Sequence, residues 1–172
     1  PSEGKSVTFA NLAVAVAQTD KKVLLIDAHM RKPVQHKCFR LSNKVGLSDV
    51  ITGDKPLDKA LNRNVTGILD VLTSGTIPPN PSELLASRQM KELLETLKER
   101  YDMILIDCAP INVVSDVAGL SQEIAGVVMV VHYGSTTYPE LDDAVNRLAL
   151  ANCNVLGFAV NEVSSKHGSG YY

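Results

Sequence analysis

The chain has 172 residues, a net charge of −2 at pH 7, 45% hydrophobic and 21% charged residues, the balance of one globular domain able to bury a sizeable core. The near-neutral charge leaves no basic field for a nucleic-acid partner, and none is expected. The most apolar runs, such as Val127–Val131, fall far short of the ~20 residues that span a bilayer as a helix.

Cys38, Cys108 and Cys153 are widely spaced, with no C-x-x-C pattern and no Cys/His cluster. Reduced thiols are therefore expected, rather than a zinc site or a disulfide framework.

In chain order, "PSEGKSVTFANLA" places Gly4-Lys5-Ser6 just ahead of an apolar helical run. It reads as the back half of a phosphate loop, G-x-x-x-x-G-K-[ST], with only Pro1, Ser2 and Glu3 ahead of Gly4. Leu12, Ala13, Val16 and Ala17 predict a helix over Ser6–Gln18. Near-continuous apolar runs predict strands at Val23–Ile26, Ile68–Leu72, Met103–Ile106, Val127–Val131 and Val155–Val160, covered on both faces. Helical spacing predicts Arg88–Glu99 and Tyr138–Leu150. Between strands and helices, "SGTIPPNPSELLAS" (residues 74–87) cannot be a strand. Asn80 is placed to cap a helix that starts at Pro81, with Glu83 three residues after the cap. Strand–helix alternation with short links predicts an α/β fold: a doubly wound, mainly parallel sheet with helices on both faces.

Chemistry concentrates where strands end. "VLLIDAHMRKP" puts Asp27, and "MILIDCAP" puts Asp107, at the carboxyl end of a buried strand, where open α/β sheets bind ligands. Carboxylates there can hold Mg²⁺ directly or through water, or accept a proton from a nucleophile. Backbone N–H groups at the start of the first helix supply partial positive charge for phosphates, Lys5 is placed to reach them and the Ser6 hydroxyl to ligate Mg²⁺.

A phosphate loop, an aspartate-ended strand followed by Arg31 and Lys32, and then I-D-x-x-P resemble the Walker A, A′ and B set of the bacterial tyrosine kinases of capsular and exopolysaccharide biosynthesis. The resemblance runs through "EGKS", "VLLIDAHMRKPVQHK", "GLSDVITG", "SGTIPPNPSELLAS", "LLETLKERYDMILIDCAP", "VLGFAVNEV" and a tyrosine-bearing tail. "PPNPSELLAS" sets it apart from the partitioning and cell-division-site ATPases. The resemblance implies a P-loop NTPase-like fold with the strand before the loop missing from the sequence. It implies a truncated kinase domain over residues 1–163 and a flexible tail over 164–172. It also implies ATP and Mg²⁺ as cofactors. Asp27, Lys5 and Asp107 would be catalytic; Glu3, Gly4, Lys5, Ser6, Val7, Arg31 and Asn161 would contact the nucleotide; Ser6, Asp27 and Asp107 would hold the metal. Tyr171 and Tyr172 would be phosphorylated in trans within a homo-oligomeric ring, whose effective tail concentration is on the order of millimolar. Implied too are other tyrosine-bearing protein substrates, a membrane activator of the polysaccharide chain-length and export type, and a cytoplasmic location at the inner face of the plasma membrane through that partner.

Two positions depart from the family pattern. His29 stands where a second carboxylate is usual, two residues after Asp27 and on its side of the backbone, and removes a negative charge from the metal region. Cys108 stands where threonine is more usual and places a thiol near the phosphates. His29 keeps open the reading of a catalytically weak ATP-binding scaffold. A partitioning-type P-loop ATPase is a further alternative.

Overall fold

The computed structural model describes residues 4–110 and 119–163. Its centre is β1 (Val23–Asp27), five residues with no exposed side chain. β1 pairs in parallel with β3 (Leu69–Leu72) on one side and β4 (Met103–Asp107) on the other. An antiparallel strand β2 (Leu61–Thr66) edges β3, giving the order β2-β3-β1-β4. A separate parallel pair is made of β5 (Val127–His132) and β6 (Val155–Asn161).

Alternation along β1 sends side chains to two cores. Val23 and Leu25 pack with Ala13, Ala17, Leu69 and Val71 beneath α1 (Lys5–Ala17), where small alanines allow close approach of helix to sheet. Leu24 and Ile26 pack on the opposite face with Leu47 of α3 (Leu47–Ile51), Leu85 of α5 (Pro81–Leu85) and Met90, Leu94 and Leu97 of α6 (Arg88–Lys98). Helices on both faces make the arrangement doubly wound, as the sequence predicts. Short helices α2 (Gln35–Cys38) and α4 (Leu57–Ala60) fill the connections, and α7 (Tyr138–Leu150) covers the β5–β6 pair through Ala144 and Leu148.

The structure adds one strand and corrects two expectations. The edge strand β2 goes unannounced because "LNRNVT" carries no apolar run; only Leu61 is buried, opposite Leu72. The β6 strand is not covered on both faces: its burial alternates, and Leu156, Phe158 and Val160 are exposed. Asn80 precedes α5 but makes no cap bond; its Nδ2 donates to Glu83 Oε2 at 2.7 Å instead. The chain then breaks at Ala86 and restarts at Ser87, whose Oγ accepts from Met90 N (3.2 Å) and caps α6.

The two sheets face each other across an apolar cavity of about 790 Å³ between β4 and β5. Leu105 of β4, Val128 and Val130 of β5, Phe9 and Leu12 of α1 and Leu148 of α7 are among the residues that line it.

Candidate nucleotide site

The site gathers at the carboxyl ends of β1 and β4. The parallel register sets Asp27 directly beside Asp107, and Ala28 N donates to the Asp107 carbonyl at 2.8 Å. Both carboxylates are buried, at 0% and 1% exposure, so each must find donors.

Asp27 finds three, all backbone. Its Oδ1 accepts from His29 N (3.2 Å) and its Oδ2 from Val34 N (3.0 Å) and Gln35 N (2.9 Å). Folding "DAHMRKPVQ" back over the strand end is what this carboxylate does locally. Burial nevertheless dominates its acidity: loss of hydration, with the neighbouring Asp107 charge, outweighs the three donors and lifts its pKa from 3.8 to about 6.

Asp107 uses one oxygen and leaves the other open. Its Oδ2 accepts from Gln35 Nε2 at 2.8 Å. Its Oδ1 is 3.8 Å from Lys5 Nζ and has no hydrogen-bond donor among the described residues. A buried carboxylate oxygen with no donor suits an ordered water or a hydrated cation. With the Ser6 hydroxyl nearby in sequence, the donor set is all oxygen, which fits Mg²⁺ and not a softer metal. No group of three or more His, Cys, Asp or Glu side chains forms a metal cage among the described residues.

Lys5 opens α1, and Gly4 precedes it in the left-handed region with φ 72°. Among the described residues no side chain caps this helix, and no acidic residue sits in its first turn, an N-terminus suited to an anion. Gly4 is required twice over. Its φ is costly for other residues, and a Cβ there would collide with Asn161 Nδ2 at the end of β6. The structure thus brings Gly4, Lys5, Asp107, Asp27 and Asn161 around one strand-end cleft.

Other expected residues stand apart or cannot be placed. Arg31 is exposed and its Nη2 donates to Ser82 Oγ at 3.2 Å, tying the turn after β1 to α5. Val7 is 54% exposed on α1. Glu3, Tyr171 and Tyr172 lie outside the described residues. His29 is half-buried, with its backbone N–H on Asp27, and Cys108 is half-buried after β4.

Gln35 went unnoticed in the sequence. It is fully buried and bonded to Asp27, Asp107 and the Ser6 carbonyl (Nε2 to O, 2.9 Å). A lone glutamine carries no motif, and the only hint was its place in the segment that follows the strand-end aspartate.

A helix opened by Gly-Lys-Ser, beside two strand-terminal aspartates on a parallel sheet, defines a P-loop nucleotide-binding α/β protein. The AAA domain family model matches residues 3–137. The chain is 45% identical to the tyrosine-protein kinase YwqD of Bacillus subtilis, over 100% of its own length and 73% of that protein. It is 36% identical to the tyrosine-protein kinase Etk of Escherichia coli over 99% of its own length but only 24% of that larger protein. The solved kinase domain of E. coli Etk superposes with a TM-score of 0.92, covering 100% of this chain and 68% of that one. The septum site-determining protein MinD of Pyrococcus horikoshii, solved with Mg-ADP, shares the fold at 24% identity, with a TM-score of 0.75 over 92% of this chain and 65% of that one. The chain therefore belongs to the bacterial tyrosine-protein kinase family.

Proposed function

We propose that this chain transfers the γ-phosphoryl group of Mg-ATP to protein tyrosines, its own Tyr171 and Tyr172 among them, in control of capsular or exopolysaccharide synthesis. The observation that carries the reading is the pairing of Asp27 and Asp107 in register beside Lys5, within a chain 45% identical to YwqD.

Phosphoryl transfer asks a protein for positioning and charge neutralisation more than for covalent chemistry. Lys5 and the open N–H groups of α1 would hold the phosphates, and Gly4 lets the backbone approach them. Mg²⁺, held by Ser6 and through water by Asp107, would neutralise charge on the phosphates. Asp27 would accept the proton of the incoming tyrosine hydroxyl; its pKa of about 6 leaves it ionised at neutral pH yet basic enough to act. Asn161, packed against Gly4, would flank the base.

Residues 1–163 would be the kinase domain and 164–172 the substrate tail. A homo-oligomeric ring would present tails to neighbouring sites, with phosphate charge loosening it. A membrane protein of the chain-length and export type would recruit and activate the kinase at the inner face of the membrane. No helix among the described residues is long and apolar enough to cross a membrane.

The test mixes wild-type protein with a tagged Lys5→Met chain in Mg-ATP and maps phosphotyrosine by mass spectrometry. Phosphate on Tyr171 or Tyr172 of the tagged chain is expected. Nucleotide binding without any phosphotyrosine would favour the weak scaffold to which His29 points.

A further inference from the structure

Gln35 makes three connections that no other side chain described in the structure makes together. Its backbone N–H donates to Asp27 Oδ2, and its Nε2 donates both to Asp107 Oδ2 and to the Ser6 carbonyl. These partners lie 8, 72 and 29 residues away in the chain, in the A′, B and A segments. The amide orientation is fixed by chemistry. A carbonyl and a carboxylate only accept, so the two-proton Nε2 must face them. The Oε1 atom is then left buried without a donor among the described residues, as is Asp107 Oδ1.

We propose that Gln35 is a positioning residue of the nucleotide site. It locks the Asp107 carboxylate so that Oδ1 stays open beside Lys5, and it ties that carboxylate to the first turn of α1. The loop that holds phosphates and the aspartate that serves the cation then keep a fixed spacing before any ligand arrives. The two acceptor oxygens left without donors, Gln35 Oε1 and Asp107 Oδ1, would take waters of a hydrated divalent cation. The proposal rests on the nucleotide-binding reading given above but needs no phosphotransfer to be tested.

The length-matched apolar variant Gln35→Met removes both donated bonds and the free acceptor while filling the same space. In full-length protein, the Mg²⁺ concentration that half-saturates binding of fluorescent ADP should rise about tenfold or more, a size seen for outer-shell partners of metal sites. ADP affinity in EDTA should change less than twofold. A merely structural glutamine would lower the thermal midpoint and leave the Mg²⁺ requirement unchanged, and that result overturns the proposal. Gln35→Asn, which keeps the amide but is one methylene too short to bridge, should raise the Mg²⁺ requirement likewise and serves if the methionine variant fails to fold. In an Asp107→Asn background, Gln35→Met should add nothing further to the Mg²⁺ requirement, because it acts through that carboxylate; additive effects refute the route. Wild-type protein that binds no ADP at millimolar concentration would sink the nucleotide reading itself. Wild-type binding matched by an unaltered Gln35→Met variant would sink only the inference.

Discussion

The pH dependence of folding isolates Asp27. Its carboxyl is buried, and loss of hydration, helped by the Asp107 charge, raises its pKa from 3.8 to about 6 against the pull of three backbone donors. A raised carboxyl pKa means that the folded chain keeps a proton the unfolded chain has released. The contribution to stability is therefore full below pH 3.8 and is lost as pH rises through about 6. At 1.36 kcal/mol per pKa unit, the loss is about 3 kcal/mol, a large share of the ~5–15 kcal/mol of a typical domain. In Asp27→Asn nothing titrates at this position. The single amide oxygen forfeits one acceptor, at about 1 kcal/mol, but does so at every pH. Urea unfolding of both proteins in EDTA, from pH 4 to 7.5, should show the variant gaining about 2.4 kcal/mol on the wild type across that range, with the titrating groups that do not sense the Asp27 charge cancelling in the difference. A difference flat to within about 0.5 kcal/mol would refute the argument that hydration loss outweighs the three donors. The same variant should lose phosphotransfer, so the stability held back at neutral pH would be the cost of keeping a base ionised in a dry site.

Gly4→Ala should destabilise by about 1–2 kcal/mol for the left-handed backbone alone, and displace Asn161 besides; thermal denaturation and ADP titration should both report the loss. Ser87→Ala removes the cap of α6 and should cost about 1 kcal/mol in urea unfolding with kinase activity per folded molecule unchanged. Leu94→Ala, in the core beneath α6, should cost about 2–5 kcal/mol, with the rate constant for phosphotransfer retained at temperatures where the variant stays folded.

What the sequence discloses and what it hides follow from physics. The strands β1 and β4 were legible because burial demands unbroken apolar runs, and the aspartates because each ends such a run. Strand β2 was hidden because an edge strand with one buried residue needs no pattern. Segments that mark the family turn out to serve structure. In "GLSDVITG", Asp49 accepts from Gly46 N, Thr76 N and Thr76 Oγ1, which clamps α3 to the connector after β3 and, through those donors, depresses its own pKa. In "PPNPSELLAS", Pro81 and Leu85 are buried at the two ends of α5, and Ser82 receives Arg31. Arg31 thus has a structural partner of its own in the ligand-free chain. Gln35 was illegible for the opposite reason: its role exists only once residues 6, 27 and 107 have met.

The cavity between β4 and β5 joins these threads. Its walls include the outermost strand of the four-stranded sheet and the first strand of the β5–β6 pair, five and six residues long. The same cavity is lined by Lys5, Phe9 and Leu12 of α1 and by Asp107. Whatever fills it therefore packs on the helix that presents its N-terminus to phosphate, and borders the carboxylate that Gln35 holds. Filling the slot would bury the inward faces of Leu105, Val128 and Val130 and steady the first turn of α1 in one step. Occupancy of this cavity would therefore change stability and nucleotide affinity together, because one wall belongs to the core of the sheet and another to the first turns of α1.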